Sequence, residues 1–230
     1  MNKIHISIEG NVGSGKSTII QALKTKYTLL NADEKQSTQC KIVTCAEPVE
    51  EWERHGFLKA MYTGELGHVE FQYMVLASMT SNTLEGLRNA DVFIQERSLD
   101  AAFEVFAKAN VKPSLSFNML DYSYLNLKRS IIRESALTYR IYLRVTSELA
   151  RERIAIRSRM SENTLSLEYL ERIHEKHEEW LQKKGCKKAN GEEVIVVDAC
   201  RPIAEVKQNV EDIVQSILEK AGKCQDFTMI

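Results

Sequence analysis

Short apolar runs alternate with longer amphipathic stretches along the chain. Lys3 to Ile8 (KIHISI) reads as a strand, and Ser17 to Tyr27 as a helix with Ile19, Ile20 and Leu23 on its apolar side. Asn31 to Gln39 is polar and is expected to be a loop. Lys41 to Cys45 (KIVTC) is a second strand, ending at Glu47-Pro48. Glu70 to Leu87 has apolar residues at helical spacing, and Val92 to Gln95 (VFIQ) is a third strand, ending at Glu96-Arg97-Ser98. A long helical region follows through Phe103 and Phe106, then another helix over Tyr122 to Glu134. Tyr139 to Val145 (YRIYLRV) is a fourth strand. Leu149 to Arg159 is a basic helix and Leu167 to Lys183 a charged one. Val194 to Val197 is the fifth strand, and Ile203 to Lys220 a closing helix.

Strands that alternate with helices predict an α/β fold, a five-stranded parallel sheet with helices on both faces. Ligands of such sheets gather at the carboxyl ends of the strands. The segments just after strands one, two and three should therefore converge on one crevice. No repeat, low-complexity tract or linker divides the chain, so residues 1–230 are expected to form a single domain.

The segment after strand one carries the sharpest signal. Gly10, Asn11, Val12, Gly13, Ser14, Gly15, Lys16 and Ser17 fit G-x-x-x-x-G-K-[ST], and Thr18 follows. The glycines let backbone N–H groups turn toward phosphate oxygens, and a helix N-terminus adds favourable partial charge. Lys16 is placed for the β- and γ-phosphates of a nucleoside triphosphate and Ser17 for Mg²⁺. The pattern follows a strand and opens a helix, the context that separates it from an ordinary glycine turn. Neither Asn-Lys-x-Asp nor Asp-x-x-Gly occurs, which excludes a switch GTPase. Strand three ends in Glu96 and no long apolar strand ends in Asp, unlike a motor ATPase. A kinase for a small molecule is the better class.

Charge narrows the partners. Lys plus Arg number 31 and Asp plus Glu 32, a net charge of −1, so no broad field for nucleic acid or a membrane surface is expected. Cysteines at 40, 45, 186, 200 and 224 form no Cys-x-x-Cys and are odd in number. Reduced thiols in a cytoplasmic protein follow, rather than a disulfide framework or zinc site. The first strand begins almost at Met1, so neither a signal peptide nor an Arg-rich leader is expected, and no apolar run approaches membrane-spanning length.

Four blocks occur in order: ISIEGNVGSGKST (Ile6 to Thr18), EPVEEW (Glu47 to Trp52), QERS (Gln95 to Ser98) and RERIAIRSRMSE (Arg151 to Glu162). FQYMV (Phe71 to Val75) lies between the second and third, and the likeness runs on to HEKHEEW (His174 to Trp180). Together they resemble the deoxynucleoside kinases, nearest to the insect multisubstrate and mitochondrial thymidine-accepting branches. That resemblance implies a phosphate-loop kinase fold with an arginine-rich lid at about residues 151–165. It implies transfer of phosphate from ATP, with Mg²⁺, to the 5′-hydroxyl of a 2′-deoxynucleoside, thymidine and deoxycytidine first. It also implies a homodimer, through a helix pair packed away from the crevice.

The chemistry agrees independently. A 5′-hydroxyl is a poor nucleophile and needs a positioned base near the γ-phosphate. Glu47 can take that proton. Arg97 can hold the hydroxyl oxygen and keep Glu47 ionised, and Glu96 can reach Mg²⁺ through water. Singly, such residues are ordinary strand-end groups; beside a phosphate loop they form a site. Thymidylate kinase is the nearest competitor, but its acceptor carries a phosphate, which a carboxylate at contact would repel. Ala46 stands before Glu47, where thymidylate kinases often have Arg. A regulatory subunit that binds nucleotide without transfer would have no need of Glu47 and Arg97.

Further roles follow from the resemblance by position. Gln72 would bond the base through its amide, with Trp52 and Phe106 flanking it and Phe71 walling the pocket. Tyr62 and Glu162 would bond the 3′-hydroxyl. Val75, Met79 and Ala102 resemble the thymidine-accepting branch, leaving room for a 5-methyl group. Asn110 departs from the pattern, being polar where an apolar residue is expected, and Ala155 stands where the insect pattern has a further Arg. Arg153, Arg157 and Arg159 would neutralise charge on the transferring phosphoryl group. Arg153 and Arg157 share a helix face; Arg159 reaches the phosphates only if the helix ends near it. Asp198, opening the VDACRP turn, would border adenine. His174 and His177, three apart with no cysteine cluster nearby, are expected to be structural.

Overall fold

The computed structural model describes residues 3–32, 40–134, 137–157, 165–182 and 192–223. Its sheet is wholly parallel: β1 (Ile4–Glu9), β2 (Ile42–Cys45), β3 (Val92–Glu96), β4 (Leu137–Arg144) and β5 (Glu192–Asp198), in the order β2-β3-β1-β4-β5. β1 is central, so its carboxyl end lies between those of β3 and β4. The expected crevice forms there.

The sequence IHISIE splits β1 between two faces. Ile4, Ile6 and Ile8 are fully buried on one side, with Ile94 and Ile141 of the neighbouring strands. They pack against α1 (Lys16–Ala32) through Ile19, Ile20 and Leu23, and against α10 (Ile203–Lys220) through Val206, Val210 and Val214. Full burial of each such side chain contributes about 1.5–3 kcal/mol. The other face holds His5, Ser7 and Glu9, equally buried but polar, which burial penalises unless they are partnered. That face is covered by α4 (His68–Asn89), α7 (Leu115–Glu134) and α9 (Leu167–Leu181), packed on Phe93, Tyr142 and Val194.

Several boundaries differ from the sequence-based expectation. α1 continues to Ala32, so Asn31 is helical and does not open a loop; no glycine or proline stands before it to stop the helix. Residues 33–39 lie outside the described residues. Two short helices, α2 (Val49–Arg54) and α3 (Phe57–Thr63), fill a stretch with no predicted element. Each is under two turns, too short to show a period, and α3 is set between Gly56 and Gly64, at φ +75° and +79°. The helical region after β3 comprises α5 (Leu99–Ala101), a π-helical stretch (Ala102–Ala107) and α6 (Lys108–Asn110). α7 begins at Leu115, seven residues before the expected Tyr122. Leu115, Met119 and Tyr122 of its first half are exposed, so they give no inward-facing stripe to read. α8 is described over Ser147–Arg157.

A candidate active site at the carboxyl edge of the sheet

A cavity of about 480 Å³ opens at the carboxyl ends of β1, β2 and β3, within the range of small-molecule sites. Val12, Gly13, Gly15, Lys16, Ser17 and Thr18 form one end of its wall, and Glu47, Glu96 and Arg97 stand in the middle. Trp52, Tyr62, Phe71, Gln72, Val75, Met79, Ala102, Phe106 and Asn110 form the other end, with Arg157 also on the wall.

The remaining expected residues fall elsewhere. Gly10, Asn11 and Ser14 shape the loop from behind the wall. The Asn11 amide donates to Leu170 O at 2.8 Å, which ties the loop to α9. A Cβ on Gly10 would lie 2.7 Å from Leu143 O. Arg153 is half-buried and off the cavity wall, so of the two lid arginines expected on one face only Arg157 reaches it. Asp198 is not on the wall either. It is exposed at the end of β5, where it accepts from Cys200 N–H at 3.0 Å and pairs with Arg201 at 3.3 Å. Arg159 and Glu162 lie outside the described residues.

Electrostatics concentrate between the two ends of the cavity. Arg97 donates to the Glu47 carboxylate, both side chains being under 10% exposed (9% and 8%). Burial and the nearby Glu96 carboxylate push the Glu47 pKa upward against the pull of Arg97. Arg97 therefore offsets desolvation rather than simply keeping Glu47 ionised. The Arg97 guanidinium also lies over the Phe106 ring, 4.8 Å from its centroid, so this aromatic supports the arginine as well as walling the pocket. Lys16 is buried, its ammonium donating to Gly10 O (3.0 Å) and Asn11 O (2.8 Å). Burial, with Arg97 nearby, lowers its pKa to about 7. An arriving triphosphate would restore its full charge.

Ser17 Oγ donates to Glu96 Oε1 at 2.8 Å. A hydroxyl and a carboxylate beside a phosphate loop form an oxygen donor set that suits Mg²⁺, which keeps several waters and takes few protein ligands. At the far end Gln72 is buried, and its Oε1 is left without a partner among the described residues. Such an orphaned acceptor beside a cavity fits a ligand that carries a donor. Trp52 meets Phe71 edge to face at 6.0 Å.

The sequence reading missed Val49, Leu58, Met61 and His68, which come largely from the unpredicted short helices, and Leu165, Ser166, Tyr169 and Arg172 near the start of α9. Tyr169 and Arg172 were findable. Leu170, Ile173, His177 and Trp180 mark the buried stripe of α9, and Tyr169 and Arg172 each precede a stripe residue. Arg172 lies over the Tyr169 ring at 5.4 Å.

His177 is buried, stacks on Tyr142 at 5.7 Å and bonds Ile173 O at 2.8 Å. Among the described residues no cluster of His, Cys, Asp or Glu is placed to hold a metal ion. None of their helices is long and apolar enough to cross a membrane.

A profile of the family described as deoxynucleoside kinase matches residues 6–221. The thymidine kinase of Ictalurid herpesvirus 1 (strain Auburn) is 30% identical over 214 residues, covering 90% of this chain and 83% of the relative. The mouse (Mus musculus) deoxycytidine kinase is 30% identical over 235 residues, 94% of this chain and 88% of the relative. The human (Homo sapiens) mitochondrial thymidine kinase 2 is 29% identical over 188 residues, 77% and 64% respectively.

Proposed function

The chain belongs to the deoxynucleoside kinase family, and we propose that it phosphorylates the 5′-hydroxyl of 2′-deoxynucleosides, with ATP as donor and Glu47 as the base. Glu47 accepts the hydroxyl proton while that oxygen attacks the γ-phosphorus in line. The bond from γ-phosphorus to the β,γ-bridging oxygen breaks, and ADP leaves with the bond's electrons. Arg97 orients the hydroxyl and steadies charge on Glu47. The loop N–H groups, Lys16 and Arg157 hold the phosphates, with Arg153 and Arg159 as further lid cations. Ser17 would hold Mg²⁺ directly and Glu96 through water; when bound, the ion neutralises phosphate charge. One observation carries the assignment: a buried carboxylate–arginine pair stands on the wall of the same cavity as the phosphate loop.

Gln72 reads the base edge between Trp52 and Phe106, with Phe71 beside them, and Tyr62 and Glu162 take the 3′-hydroxyl. Val75, Met79 and Ala102 are buried and carry no charge, which supports thymidine and deoxycytidine as favoured acceptors. Asn110 adds a polar group to that wall. Asp198 is proposed only as a neighbour of the adenine.

Phosphorylation of free thymidine, and not of thymidine monophosphate, is expected with labelled ATP. Transfer to the monophosphate alone would overturn the assignment. A homodimer is also proposed, supported by the exposed apolar side chains Leu115, Met119, Tyr122 and Ile132 along α7. We place the protein in the cytoplasm; among the described residues Cys40, Cys45 and Cys200 form no disulfide.

A further inference from the structure

We propose that Arg140 is a positioning residue for the acceptor site: it grips Ser98 behind the cavity wall and so fixes the turn that aims Arg97 at Glu47. The inference rests on the kinase assignment above and deepens it.

Arg140 sits on β4 directly across from Ser7 of β1 and is 2% exposed. Its Nη1 donates to Ser98 Oγ at 2.9 Å and lies 3.5 Å from Glu9 Oε1. Its Nη2 donates to Asp100 and, at 3.3 Å, to Glu192. Asp100 in turn accepts from the Tyr124 hydroxyl and pairs with Lys128 at 2.6 Å. The guanidinium stacks over Trp180 at 5.1 Å. The cluster thus draws on β1, β4, β5, α7, α9 and the turn after β3.

The turn is tied down at Arg97 itself and at Ser98 beside it. The Arg97 N–H donates to Ile8 O at 3.0 Å, and the Ser98 N–H donates to Glu9 Oε1 at 3.2 Å. Arg97 has φ +56°, the one described residue other than glycine in the left-handed region. A side chain there is strained, so the conformation persists only where neighbours hold it. Freed from Ser98, the turn can relax to negative φ, which swings the Arg97 guanidinium off Glu47. Glu9 also precedes Gly10, so one carboxylate links this turn to the start of the phosphate loop.

The choice of residue supports the inference. Ile141 and Leu143 on the other face of β4 are apolar and fully buried. A buried arginine ringed by Glu9, Asp100 and Glu192 has no stability advantage over such packing. Geometry is what it adds. Neither Arg140 nor Asp100 touches the cavity, so neither acts on substrate directly.

The test compares wild type with Arg140→Met, Ser98→Ala and a distant core substitution, Val210→Ala, in full-length protein. Measured are Tm, KM for ATP, kcat with thymidine, and kcat against pH. Both Arg140→Met and Ser98→Ala are expected to lower kcat roughly 10- to 100-fold with little change in KM for ATP, as a misplaced group does. Both should also move the acidic limb of kcat to higher pH. Glu47 faces Arg97, Glu96 and Lys16, and only the Arg97 contact is lost. Val210→Ala should lower Tm and leave that limb in place. If Arg140→Met does not fold, Ser98→Ala decides. A wild type that phosphorylates no deoxynucleoside overturns the kinase assignment and this inference with it. An active wild type whose Ser98→Ala and folded Arg140→Met variants keep its kcat and acid limb overturns this inference alone.

Discussion

Glu47 and Arg97, fifty residues apart in the chain, close a buried ion pair between the ends of β2 and β3. Neither partner can be removed quietly, because the other is left charged without water. Burial raises the Glu47 pKa and Arg97 restrains the rise, which leaves a carboxylate more basic than one in open solvent.

Glu47→Gln keeps the shape and an oxygen for Arg97 but cannot take a proton. It should lower kcat about 10²- to 10⁴-fold, the usual worth of a general base. Calorimetric affinity for thymidine should change little. Turnover near wild type would remove Glu47 from the role of base.

The contact of Ser17 with Glu96 predicts a metal phenotype. Glu96→Gln weakens the partner of the proposed Mg²⁺ ligand, and should raise the Mg²⁺ concentration for half-maximal rate about tenfold or more. Ser17→Ala should do the same through the ligand itself. An unchanged Mg²⁺ titration in both variants would move the ion's site elsewhere.

Each site residue that lies just after a strand was legible from the chain, because the end of a parallel strand fixes both place and direction. Gly13, Lys16, Ser17, Glu47, Glu96 and Arg97 all follow that rule and share one cavity. Gln72, Phe71 and Met79 were reachable through the period of α4. What was missed had more than one cause. Val49, Leu58 and Met61 sit on or beside helices too short to show a period. The role of Arg140 depends on a register between β1 and β4 that no local pattern announces. Asp198 also stands at the end of a strand, but it is exposed and not on the cavity wall.

Gly13 tests how tightly the phosphate loop is held. Its φ is +80°, and a Cβ there would lie 2.4 Å from Ala150 O, a backbone atom of α8. Gly56 has a similar φ of +75° but open space around it. Gly56→Ala should therefore cost only the left-handed conformation, about 1–2 kcal/mol. Gly13→Ala must also displace the loop or α8. Gly13→Ala should melt clearly lower than Gly56→Ala and lose ATP affinity. Equal melting temperatures would show that the loop and α8 separate easily.

Acid should unfold this protein through two buried histidines. Ile173 O can only accept, so His177 Nδ1 carries the hydrogen and Nε2 is bare, with no partner among the described residues. Burial, reinforced by the charges of Arg97 and Lys16, lowers the His177 pKa to about 3. Burial and Arg140 lower that of His5 to about 4. Both groups titrate near 6.5 once unfolded, so between 6.5 and these values the unfolded chain binds protons that the folded one refuses. Their contribution is complete above pH 6.5 and is lost as pH falls toward 4, at about 1.4 kcal/mol per pH unit for each histidine. Urea midpoints measured from pH 7 to pH 4 should fall steeply in wild type. His177→Phe keeps a ring against Tyr142 and removes the His177 titration, so its slope should be clearly shallower. An undiminished slope in that variant would mean that His177 is not the neutral, buried group its surroundings require.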